Sequence, residues 1–217
     1  MLVDWGFGDV SFLARLGVLL VVLGAILAWD YRRHGAKGTR WREYLFLVAV
    51  GLLGAGIGVA HDLVTSSISE DYFVIGKGMN KGVGFRSSVI ELGAHAGFLA
   101  AVVGAGIYLL ANGRRDGTSP LSLGRLARLV WKPLACALLG AAVLGGLATA
   151  VPPDGALRLE FVRGLSMPER ARFVRVWGIH IGVYGGLLLG MVWGVLSIRS
   201  CRRAAMANDD RSAAGSR

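Results

Sequence analysis

Five apolar runs, each long enough to cross a bilayer as a helix, leave this chain few ways to fold. They cover residues 10–29, 44–64, 89–112, 133–152 and 176–198. A helix rises ~1.5 Å per residue and hydrocarbon is ~30 Å thick, so about 20 residues suffice. Lipid offers no partner to a bare peptide group, so each run must be helical. The expected fold class is all-α: a polytopic membrane protein, a bundle of five transmembrane helices with Gly-rich packing faces. Residues 1–198 then form one transmembrane domain and 199–217 a basic cytoplasmic tail, disordered from Asn208 onward. Four spans with one re-entrant run is the alternative count. The first run is not read as a signal peptide, because Asp4 and Asp9 precede it and Trp29-Asp30-Tyr31-Arg32-Arg33 follows without a small-residue cleavage pattern.

Orientation follows from the cations between the runs. Arg32, Arg33, Lys37, Arg40 and Arg42 occupy the first connection, Arg114, Arg115, Arg125, Arg128 and Lys132 the third, and Arg199, Arg202, Arg203, Arg211 and Arg217 the tail. Five alternating spans put these three regions on one side, and the positive-inside rule makes that side cytoplasmic. The amino terminus is then outside and the carboxyl terminus inside, in a bacterial inner membrane. The fourth connection runs against this bias with Arg158, Arg163, Arg170, Arg172 and Arg175, partly offset by Asp154, Glu160 and Glu169. A net charge of +10 would suggest nucleic acid in a soluble protein. At 54% hydrophobic residues and a mean hydropathy of +0.55, topology and anionic lipid headgroups on the cytoplasmic side account for it instead. The bilayer is the expected partner and nucleic acid is not.

Glycines recur at four-residue spacing. Gly178, Gly182, Gly186, Gly190 and Gly194 form a ridge along the fifth run; Gly54 and Gly58 do so in the second, and Gly93, Gly97 and Gly104 line the third. Such ridges let helices approach backbone to backbone.

The polar residues inside the runs gather at one depth. His61 and Asp62 lie near the outer end of the second run, Glu91 and His95 near the outer start of the third, and His180 near the outer start of the fifth. Ionisable side chains within spans face the bundle interior or a water-filled cavity and mark function by default. Glu91 and His95 are four apart, a spacing at which carboxylate and imidazole share a helix face. Ser88-Val89-Ile90-Glu91 also reads as a capping box, which would give Glu91 a purely structural task. At helical periodicity His180 and Tyr184 fall on the side of their helix opposite Gly178 and Gly182, so that helix needs neighbours on both sides.

The connection from Thr65 to Ser87 would lie over this cluster. Ser67-Ile68-Ser69-Glu70 predicts a short interfacial helix in which Glu70, Asp71, Tyr72 and Phe73 form a lid, with both aromatics at headgroup level. An ordinary connector is the alternative. Ser166-Met167-Pro168-Glu169 predicts that the fifth helix starts outside the membrane.

The stretch His61-Asp62-Leu63-Val64-Thr65-Ser66-Ser67-Ile68-Ser69-Glu70-Asp71-Tyr72-Phe73, directly after an apolar helix, resembles one found in uncharacterised multi-pass bacterial membrane proteins. The resemblance implies that this segment matters and names no activity. The inventory of His, Asp and Ser is also similar to that of intramembrane zinc hydrolases acting on lipid amides, although their characteristic spacings are missing.

Three functions fit. The first is a metal-binding protein or metal-assisted enzyme using His61, Asp62, Glu91, His95 and His180; imidazole with carboxylate suits Zn, Fe or Mn. A haem variant would use two histidines as axial ligands. The second is a proton- or ion-coupled carrier, and the third a structural or partner-binding membrane subunit. Cys136 and Cys201 form no CxxC pair, which argues against a quinone-linked disulfide oxidase.

Overall fold

The computed structural model describes residues 12–35, 40–113, 120–150, 162 and 164–215. Val10 at the start of the first run, Lys37, Arg114, Arg115 and Asp116, the end of the fourth run at Val151 and Pro152, and Asp154, Arg158, Glu160, Arg163 and Arg217 lie outside the described residues. Helices are α1 (Phe12–His34), α2 (Arg40–Ile68), α3 (Phe85–Asn112), α4 (Leu123–Leu129), α5 (Trp131–Ala150) and α6 (Met167–Gly215), with a π-helical turn at Tyr72–Gly76 between α2 and α3. No strand occurs among the described residues. Among the described residues, four helical stretches are long and apolar enough to cross a membrane: Arg40–Ile68, Phe85–Asn112, Leu123–Ala150 and Met167–Ala207. The first apolar run forms the 23-residue α1, which packs on α2.

Two hairpins carry most of the packing, α2 with α3 and α5 with α6. Glycine makes both contacts. A Cβ on Gly58 would run into the Gly93 carbonyl, and one on Gly54 would meet Ala101 and Gly97, so α2 and α3 touch backbone to backbone. On α6 a Cβ at Gly178 would come 2.7 Å from the Leu144 carbonyl oxygen. Gly182 faces Gly140, Gly186 faces the Cys136 carbonyl, and Gly190 faces Pro133 in the same way. In lipid, contacts this close supply the dispersion energy that hydrophobic exclusion cannot.

The hairpins meet each other along a thinner seam, chiefly α3 against α6. Its centre is Tyr108. Pro133 has no N–H, so the Leu129 carbonyl four residues back loses its helical donor, and the Tyr108 hydroxyl donates to that carbonyl at 3.3 Å. The same phenol lies against Gly194 on α6, where any side chain would collide with it. Beyond it Arg202 donates to the Ala111 and Gly113 carbonyl oxygens at 3.1 and 2.9 Å, closing the last turn of α3. Asn112 donates to Leu121 O and accepts from Leu121 N, at 2.9 and 2.8 Å, which fixes the approach to α4. Phe46, Ala105, Tyr108, Leu121, Leu126 and Ile198 form the apolar core here.

Helix α6 is thus two-sided. Gly178, Gly182, Gly186 and Gly190 face α5, while Met191, Gly194 and Arg202 reach α3. The helix continues through Gly215. Its start obeys the expected capping signal: the Glu169 carboxylate accepts from Ser166 N at 2.8 Å and from Ser166 Oγ at 2.6 Å. Helix α3, by contrast, begins one turn before Ser88, capped by Gly84 at φ 92°, a left-handed conformation suited to glycine. Ser88 and Glu91 therefore lie inside the helix and do not cap it.

Gly186 and Gly185 are adjacent but opposite in environment, since a Cβ on Gly185 has open space. Gly186→Ala should lower the detergent melting temperature through overpacking, at about 1–3 kcal/mol, while Gly185→Ala should leave it unchanged or raise it. Equal melting curves for the two variants would contradict the α5–α6 interface.

Candidate metal centre

Helix α2 brings His61 and Asp62 to its last two turns, and the hydroxyl residues that follow finish the helix from within. Thr65 Oγ1 donates to His61 O at 2.9 Å, Ser66 Oγ to Leu63 O at 3.0 Å and Ser67 Oγ to Val64 O at 2.6 Å. These bonds add partners for carbonyls where water is scarce. Helix α6 supplies His180 from its side opposite α5. The neighbours on both sides that the placement of His180 opposite the glycine ridge requires are thus present.

Asp62 is 6% exposed and His180 3%. His180 Nε2 lies 3.4 Å from Asp62 Oδ1, and His61 Nε2 lies 4.0 Å from the same oxygen. The His61 and His180 rings sit edge to face with centroids 4.8 Å apart. One ligand atom from each of the three residues falls within 4.8 Å of the others.

Proton placement gives the arrangement its chemistry. His180 Nδ1 is 3.0 Å from the Val176 carbonyl oxygen, which only accepts, so Nδ1 carries the hydrogen. A neutral His180 then turns the lone pair of Nε2 toward the Asp62 carboxylate, two acceptors face to face. His61 Nε2 is also buried and has no hydrogen-bond partner. A cation among these atoms relieves all three. Metal-bound histidines commonly donate their second ring N–H to a backbone carbonyl, as His180 does. Zn–N and Zn–O bonds of ~2.0–2.2 Å put tetrahedral ligand atoms ~3.4 Å apart. His180 and Asp62 already have that spacing; His61 stands 4.0 Å from the Asp62 oxygen, within a set of ligand atoms spread over 4.8 Å, and must close by roughly 0.6 to 1.4 Å to reach it.

The lid residues separate into two groups. Helical backbone resumes at Glu70, just after Ser69, whose Oγ accepts from Tyr72 N at 3.3 Å, two residues later than the Ser67 signal suggests, and turns π-helical at Tyr72. Tyr72 and Phe73 are 5% and 0% exposed, packed into the protein. Tyr72 stacks on His180 with centroids 4.6 Å apart and leans on Phe173 of α6; Phe73 meets His180 edge-on at 5.9 Å. Burial, with Tyr184 and Asp62 adding to it, pushes the Tyr72 hydroxyl above its ordinary range, so it stays protonated. Glu70 and Asp71 point away, within 3.4 and 3.7 Å of Lys81 Nζ. Tyr184, half-exposed, lies 6.3 Å from His180 and borders the cluster on α6.

Glu91 and His95 do not join. Among the described residues the converging set of metal-capable side chains is His61, Asp62 and His180. On α3 it is Gly93 and Gly97 that face α2, and Glu91 and His95 each precede one of them by two residues, about 200° around the helix. Glu91 is exposed and His95 half-buried, and each has an interaction of its own. His34 belongs to the opposite end, 3.1 Å from Asp30. Sequence reasoning missed Tyr72 as a direct neighbour of His180; an aromatic pair just after a helix end signals a membrane interface as readily as a buried contact.

Comparison with protein-family models, curated proteins and solved structures returns no match. The functional reading therefore rests on geometry.

Tyr72 shields one face of His180. Tyr72→Ala should raise the rate at which a histidine-acylating reagent modifies His180 several-fold, by mass spectrometry of the detergent-purified protein, and Tyr72→Phe should keep it protected. Equal labelling of parent and Tyr72→Ala would show that the ring is not a cover.

Proposed function

We propose that this integral membrane protein binds one divalent transition metal through His61, Asp62 and His180. The observation that carries this reading is the convergence of a buried carboxylate oxygen with two imidazole nitrogens, one unpartnered and the other fixed by the Val176 carbonyl with its lone pair toward the carboxylate. Two histidines and one carboxylate suit Zn, Fe or Mn, and three protein ligands leave a coordination position for water or a substrate group. Whether that position serves an enzyme depends on what enters it. Haem fits less well, because adjacent rings 4.8 Å apart leave no room for a macrocycle between them.

A second reading has one observation in its favour. At 3.4 Å, His180 and Asp62 are close enough to share a proton, as in a proton-coupled carrier. Metal content separates the two.

Five spans, with the amino terminus outside and the basic tail in the cytoplasm of a bacterial inner membrane, complete the proposal. The positive-inside distribution supports it, and the metal centre then lies toward the outer face. An epitope at Met1 should be reached by antibody on the outside of intact spheroplasts. A protected epitope would leave α1 outside the set of spans.

Purified protein loaded with Zn²⁺ and desalted should retain one metal per chain. His180→Ala and Asp62→Asn should weaken retention by more than the ~10- to 100-fold typical of losing an outer-shell partner, whereas His34→Ala and His95→Ala should match the parent. A parent that holds no metal after incubation with Zn²⁺, Fe²⁺ or Mn²⁺ would remove the metal reading and favour the proton-sharing pair.

A further inference from the structure

The metal centre joins the two hairpins at one end only. His61 and Asp62 belong to the α2–α3 hairpin, and His180 belongs to α6 of the other. Within each hairpin glycines lock backbone to backbone, so each moves as a unit. Between them the seam is thin, and its contacts fall into two groups. At the basic end the Tyr108 phenol rests on Gly194, and Arg202 holds the last carbonyls of α3. At the other end stand the metal centre and the Tyr72–Phe73 turn, packed on Phe173 and Val176 of α6. Along α6 the 14 residues from His180 to Gly194 span ~21 Å, most of a hydrocarbon thickness.

From this layout we infer that the metal centre is a latch. With metal bound, His61, Asp62 and His180 hold the hairpins together at their end of the bundle; without it, that end parts while Tyr108 and Arg202 keep the basic end closed as a hinge. This rests on the metal reading above and adds a regulatory role to it. The asymmetry of the two joints carries the inference. Both ends have an apolar cluster, so the difference lies in the polar contacts: at the hinge these are hydrogen bonds to backbone carbonyls, which need no ligand. At the latch, removing the cation leaves a carboxylate and an imidazole lone pair facing each other inside the protein, a repulsion that separation and hydration relieve. The stacked Tyr72 ring moves with the α2–α3 hairpin, so opening also uncovers His180.

The experiment measures spin-label distances in the full chain, reconstituted in lipid, in a background carrying Cys136→Ala and Cys201→Ala. Ser67→Cys with Ala171→Cys reports the latch end; Arg40→Cys with Ser200→Cys reports the hinge end. All four positions are exposed. Zn²⁺ should give a narrow distribution for the latch pair, and chelation should shift it several ångströms longer and broaden it, while the hinge pair stays fixed. Metal content is measured on the same samples. Bound zinc with an unchanged latch distance overturns the latch and leaves the metal site standing. A sample that holds none of Zn²⁺, Fe²⁺ and Mn²⁺ overturns both. A change of equal size at the two pairs overturns the hinge, since the hairpins would then separate as a whole.

Discussion

Backbone-to-backbone contact at glycine organises this molecule. Lipid tails are as apolar as leucine, so two helices in a membrane gain little by hiding oily side chains from their surroundings. They gain by approaching closely enough for many weak atom contacts to add up, and only small residues allow it. Gly54 and Gly58 against Gly93 and Gly97, with Gly178 to Gly190 against α5, provide that approach twice. Everything else occupies the space left over. The larger and more polar side chains, Tyr72, Asp62, His180, Tyr108 and Arg202, collect where the two tight pairs face each other.

That placement explains why the polar residues come as a set. A carboxylate as buried as Asp62 is costly unless a positive partner accompanies it. Backbone donors in a membrane helix are already engaged, so the partner must come from another helix or from solution. His180 reaches Asp62 across the seam, 3.4 Å away, so the environment of that one carboxylate is set by how the two hairpins meet.

Much of this could be read from the chain. The second to fifth runs coincide with α2, α3, α5 and the middle of α6, because hydrocarbon thickness sets both hydropathy and helix length. The glycine spacing named the right faces, and the common depth of His61, Asp62 and His180 identified residues that do converge. Depth alone, however, included Glu91 and His95, which share the level but not the direction; the angular reasoning applied to His180 would have set them apart from Gly93 and Gly97. Hydropathy also fell silent outside the hydrocarbon. Helix α6 extends past both ends of its apolar run because a capped Ser166–Glu169 start and helix-forming Arg, Ala and Met residues favour it there. The π-helical turn had no periodic signal at all, since five residues are too few to show one.

The phase of α6 has a consequence for how such a chain can vary. From His180 to Arg202 is 22 residues, which at ~100° per residue brings the two side chains within ~40° of the same direction, six turns apart. Inserting or deleting one residue between them would rotate Arg202 away from α3 by a quarter of a circle or more and would break step with the glycines that face α5. A seven-residue change costs only ~20° of rotation. Such a change also moves Arg202 ~10 Å along the axis, off the α3 carbonyls it holds, so length in this helix can vary between the two anchors only together with α3, and freely only beyond Arg202, where none of the contacts described above depends on the register.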